Sequence, residues 1–143
     1  MNNKVKILVA EDELLIAMDV KQKLEDIGYE VTSLVSTAIE AITKSETDKP
    51  GIILMDIQLS GSLNGIEAAH IITYKHKIPI IFLTSVSNEN VLLQDKKFST
   101  FEHISKPIDI MKLQKVINNI KEKMMLPANA MKDNFSQPSI FTY

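Results

Sequence analysis

Along this chain, short apolar runs alternate with longer stretches in which apolar residues recur at helical spacing, the pattern of parallel strands joined by crossover helices. Residues 5–10, 30–35, 52–55, 80–83 and 101–104 predict five strands. The first and third runs are almost wholly apolar, as expected of strands covered on both faces. Pro79 introduces the fourth, at a position where a missing N–H is tolerated. The fifth is short and carries Glu102 and His103, which suits an edge strand guarded against pairing with another sheet.

Between the strands, residues 13–27 predict a helix with Leu14, Ala17, Met18, Leu24 and Ile27 on its apolar stripe and Gly28 to end it. Thr37 and Glu40 have the spacing of a capping box and open a short helix through Ile42, followed by a polar connection over 45–50. Residues 58–64 predict a loop, and Gly65 is placed to permit the turn before a helix over 66–74. A weakly patterned helix is predicted over 88–98, and a final one carries Ile110, Leu113, Val116, Ile117, Ile120 and Met124 on one side. Right-handed crossovers place helices on both faces of such a sheet, so the fold class is α/β, a doubly wound parallel sheet. Residues 1–126 read as one domain and 127–143, which lack a clear period, as a C-terminal tail or linker.

Composition narrows the function. With 143 residues, 45% hydrophobic and 24% charged, the chain suits one globular unit. Its net charge is -2 and every basic residue is Lys, which argues against direct nucleic-acid binding, where basic patches and the planar Arg fork dominate. Cysteine is absent, so disulfides and thiolate chemistry are excluded. The apolar run near the N-terminus is too short for a signal peptide or membrane span, and a cytoplasmic location is expected.

In an open parallel sheet, ligands bind beyond the carboxyl ends of the strands. There the chain places Glu11 and Asp12 after strand one, Asp56 after strand three, Thr84 and Ser85 after strand four, and Ser105 and Lys106 after strand five. Clustered carboxylates repel one another unless protonated or joined by a cation. An all-oxygen set favours Mg2+ or Ca2+, and few protein ligands fits Mg2+ with its retained waters. Asp56, held by an apolar strand, can act as a nucleophile toward phosphorus. Lys106 and a cation would neutralise the transferring phosphoryl group, and Thr84 could donate to a third oxygen.

The segments Val9-Ala-Glu-Asp-Glu13, Leu54-Met-Asp56-Ile-Gln-Leu59, Gly65, Leu83-Thr84-Ser85 and Ser105-Lys106-Pro107-Ile108, in this order and spacing, resemble the receiver domain of two-component response regulators over residues 4–124. The resemblance implies a flavodoxin-like (βα)5 fold with strand order 2-1-3-4-5. It makes Asp56 the phosphorylated residue, with Glu11, Asp12, Asp56 and the Gln58 backbone carbonyl around Mg2+. Thr84 matches the switch hydroxyl and Lys106 the phosphate-binding lysine, followed by Pro107 after a typically cis bond. His103 falls where the family usually has a switching Tyr or Phe, and Gln58 and Val86 flank the route of hydrolytic water.

The implied donor is a phosphohistidine on a sensor histidine kinase or phosphotransfer protein, and the domain catalyses its own phosphorylation and dephosphorylation. Output would pass through the face made by residues 88–98, the fifth strand and the final helix, with a homodimer through that face as an option. The competing class is a pseudo-receiver that binds partners without phosphorylation. A nucleotide or flavin binder is disfavoured, because Glu11 and Asp12 stand where a glycine-rich phosphate loop would be. Taken singly, strand-end carboxylates serve as caps, Thr84 as a strand residue, and His70, His76 and His103 as surface residues.

Overall fold

A computed structural model describes residues 4–85, 94 and 101–124. The chain divides into two compact units, Met1–Ile110 and Met111–Tyr143. In the first lie β1 (Lys6–Ala10), α1 (Leu14–Asp26), β2 (Glu30–Val35), α2 (Ala38–Asp48), β3 (Ile52–Asp56), α3 (Gly65–His76), β4 (Ile80–Thr84) and β5 (His103–Ser105). All neighbouring strands pair in parallel, in the order β2-β1-β3-β4-β5. The flavodoxin-like architecture and strand order are thus those expected. The helix predicted over 88–98, Val86 and the tail at 127–143 lie outside the described residues.

The two inner strands β3 and β4 are buried at every position, and β1 is buried after Lys6. Side chains alternate between the faces of a strand. One set, Leu8, Ala10, Ile53, Met55, Ile80 and Phe82, forms a continuous core with Ala38 and Ala41 of α2 and Ile66, Ala68, Ala69 and Ile72 of α3. The alternate set, including Val9, Leu54 and Leu83, is also fully buried and faces the other way. Each such Leu or Ile is stabilised by roughly 1.5–3 kcal/mol relative to leaving it in water. Central strands of this kind hold whatever they carry at their ends.

The helices depart from expectation at their stripes and ends. In α1 the buried residues are Ala17, Val20 and Leu24, whereas Leu14 and Met18 are 65% and 52% exposed. At about 100° per residue, Met18 lies about a third of a turn from the centre of that stripe. Gly28, at φ +99, terminates the helix as expected.

The second helix runs on to Asp48 rather than stopping after Ile42. Ser45 lies on the same face as Ala38 and Ala41 and is buried, because its hydroxyl donates to the Ile42 carbonyl at 2.7 Å and hides its polarity. Thr37 caps the helix by accepting the Glu40 N–H, while the Glu40 carboxylate accepts from the Ser36 N–H and from both hydroxyls. These bonds, that of the Ser36 backbone first, hold the Glu40 carboxyl below its ordinary pKa.

Helix α3 begins with a capping box not read from the sequence: Asn64 accepts the Glu67 N–H, and Glu67 accepts the Asn64 N–H. The second unit carries most of α4 (Ile110–Met124), in which Leu113, Ile117 and Ile120 are buried and Met124 is exposed. Among the described residues no helix is long and apolar enough to cross a membrane.

Candidate functional site

The register of the sheet brings the strand ends together. Asp56 is the last residue of β3 and pairs with Leu83, so Thr84 is the next position on the adjoining strand, opposite Ser105 of β5. The Lys106 N–H donates to the Thr84 carbonyl at 2.8 Å, which hangs the segment after β5 on the end of β4. The peptide bond that follows, Lys106–Pro107, is cis.

From this anchored backbone the Lys106 ammonium reaches Asp56 Oδ2 at 2.7 Å and Glu11 Oε1 at 2.8 Å. Both carboxylates are only 2% exposed. Burial alone would lower the pKa of the Lys106 ammonium, but the hydrogen bonds and charges of Asp56 and Glu11 outweigh it and raise the pKa. The lysine therefore stays charged and joins two carboxylates that would otherwise repel.

The remaining oxygens are oriented by backbone. Asp56 Oδ1 accepts the Gln58 N–H at 3.1 Å, and Glu11 Oε2 accepts the Glu13 N–H at 3.0 Å. Among the described residues no donor other than the Lys106 ammonium reaches Glu11 Oε1, so this fully buried oxygen keeps capacity for a further partner.

Asp12 is exposed, and its carboxylate completes a set in which Glu11, Asp12 and Asp56 each offer one oxygen within 4.8 Å of the others. A hard divalent cation that keeps several of its waters could be held by such a set. The donor chemistry and the under-used Glu11 oxygen both fit a hard divalent cation.

Thr84 is completely buried, and its hydroxyl lies 3.5 Å from the Ile104 carbonyl, too far for a good hydrogen bond. His103 is exposed on the edge strand, and Gln58 is exposed in the loop after β3. His70 and His76 lie on α3, with His76 3.7 Å from Glu46 of α2.

Gly65 has a larger part than the turn it was expected to permit. Its N–H donates to the Ile57 carbonyl at 2.7 Å, and a Cβ built there would overlap the Asp56 carbonyl oxygen and stand 2.9 Å from its carbon. Space, rather than a left-handed backbone, is what demands glycine here. The signal available in the sequence was a glycine at a helix start soon after a strand-end carboxylate.

Residues 7–118 match the family model of the response regulator receiver domain. The transcriptional regulatory protein PdtaR of Mycobacterium tuberculosis is 32% identical over 105 residues, 73% of this chain and 51% of that protein. The signal receiver domain of a modulated diguanylate cyclase from Desulfovibrio desulfuricans superposes with a TM-score of 0.77 at 29% identity, covering 87% of this chain and 100% of that one. The anti-anti-sigma factor PhyR of Bartonella quintana does so with a TM-score of 0.72 at 32% identity, over 92% of this chain and 52% of that one. The chain belongs to the response regulator receiver domain family of two-component signalling. It spans about half the length of PdtaR.

Proposed function

We propose that the protein is a working phosphoacceptor, taking a phosphoryl group on Asp56 from a phosphohistidine on a sensor histidine kinase or phosphotransfer protein. The observation that carries this reading is the Asp56 carboxylate itself, fixed at the end of a fully buried strand with Lys106 2.7 Å from one oxygen and the Gln58 N–H on the other. In the transfer an Asp56 oxygen attacks phosphorus, the P–N bond to the donor imidazole breaks, and the imidazole departs with its electron pair and takes up a proton. Lys106 follows the developing charge on the phosphoryl oxygens, a role its long flexible stem allows. Attack of water on phosphorus later returns the aspartate and inorganic phosphate.

Glu11, Asp12, Asp56 and the Gln58 backbone carbonyl would hold Mg2+. The ion supplies charge neutralisation for the phosphoryl oxygens and for the clustered carboxylates. Thr84, buried and loosely bonded, is free to turn its hydroxyl toward a phosphoryl oxygen, and movement of Thr84 would be transmitted to β5 and His103 through the Lys106 N–H bond. The output partner would dock on the face that includes β5, as a second copy or another protein. The apolar residues Leu14, Leu15 and Met18, exposed on α1 beside the pocket, supply a surface for the donor.

A pseudo-receiver acting by phosphorylation-independent contact is the competing reading. Incubation with a small acyl phosphate and Mg2+, followed by intact mass, separates the two. The protein should gain one phosphoryl group only when Mg2+ is present, and Asp56→Asn should abolish the gain while leaving the thermal midpoint near that of wild type. A chain that remains unmodified under these conditions is a pseudo-receiver.

A further inference from the structure

We infer that Ser60 is the positioning residue for the Asp12 carboxylate, and that the capped start of α2 holds Ser60 in place. The inference deepens the proposed metal-assisted site and rests on it. The three carboxylates of the pocket are held unequally. Glu11 and Asp56 are buried and take bonds from Lys106 and from backbone N–H groups. Asp12 is exposed, and among the described residues its polar partner is the Ser60 hydroxyl, 3.4 Å from Oδ2.

That distance exceeds the usual 2.7–2.8 Å of a hydroxyl donor, so the bond itself is weak. What gives it a role is the fixed position of the serine. The Ser60 N–H donates to the Ser36 carbonyl at 3.2 Å, and Ser60 forms an isolated parallel bridge with Thr37. The loop after β3 is thereby stitched to the turn that caps α2. That turn is itself tied down by Thr37 and by the three bonds that Glu40 accepts.

An exposed aspartate otherwise samples several rotamers. Mg2+ and ions like it demand near-ideal octahedral placement of their ligands. A hydroxyl that biases Asp12 toward the pocket before the ion arrives therefore raises affinity without touching the ion, as outer-shell partners of metal ligands do. Ser60 acts here through Asp12 and not on the phosphoryl group.

Titration of the full chain with Mn2+ alone, followed by the loss of the free-ion paramagnetic signal, tests this without a phosphodonor. Ser60→Ala should weaken Mn2+ binding about tenfold. Ser60→Thr, which keeps the hydroxyl, should restore affinity to within about twofold of wild type, and the metal-free thermal midpoints of both variants should match the wild type. Unchanged affinity in Ser60→Ala, equal losses in the Ala and Thr variants, or a loss that tracks a falling midpoint each overturn the inference. A wild type whose Mn2+ binding is absent, or survives Asp12→Ala, overturns the metal pocket itself and the role of Ser60 with it.

Discussion

The strands β3 and β5 each deliver one charge to the same pocket, under opposite conditions. β3 has five residues, all buried, flanked on both sides by parallel partners, and ends in the nucleophile candidate Asp56. β5 has three residues, exposed, buried and exposed in turn, lies at the sheet edge, and is followed by Lys106, whose side chain is 20% exposed. The carboxylate is therefore fixed by one of the two fully buried inner strands, whereas the ammonium sits on a flexible stem beyond a short edge strand. A transferring phosphoryl group moves relative to both groups, so one must adapt, and the division assigns adaptation to the lysine.

Substitutions in the two strands should expose the difference most strongly. Leu54→Ala in β3 removes a fully buried side chain and should cost about 3–5 kcal/mol in urea unfolding. Ile104→Ala in β5, at an edge position 7% exposed, should cost about 2 kcal/mol. Equal costs would mean that β5 is as rigidly packed as β3.

At the charges themselves, Lys106→Ala should slow phosphorylation of Asp56 by roughly a hundredfold, the scale on which loss of one preorganised donor is felt. It also leaves Glu11 and Asp56 without their shared cation, so Mg2+ should raise the thermal midpoint of this variant more than that of wild type. A smaller effect is expected at Gly65→Ala, where the added methyl must displace the Asp56 carbonyl. A loss of about 2 kcal/mol with slowed phosphorylation would show that α3 sets the position of Asp56.

Much of this arrangement was legible in the sequence, because parallel central strands read as short apolar runs and polar residues directly after them must sit at the carboxyl edge. Glu11, Asp12, Asp56 and Lys106 stand directly after such runs, and the structure brings them together. The length of α2 was hidden because Ser45 looks polar until its hydroxyl is seen bonded to the preceding turn. Leu14 and Met18 are apolar yet exposed on α1, so apolar character alone does not mark its buried stripe. The close approach of Gly65 to the Asp56 carbonyl and of Ser60 to Asp12 depends on distances between separate loops, which no local pattern records.

On the proposed mechanism Asp56, and no other side chain, should receive the phosphoryl group. Hydride reduction of the protein after treatment with an acyl phosphate and Mg2+ converts an acyl phosphate on aspartate to a stable alcohol, which peptide mass spectrometry can locate. The reduced residue should appear at position 56 in the Mg2+-treated sample and be absent when the metal is chelated; reduction at another carboxylate, or labelling that ignores the metal, would contradict Asp56 as the acceptor.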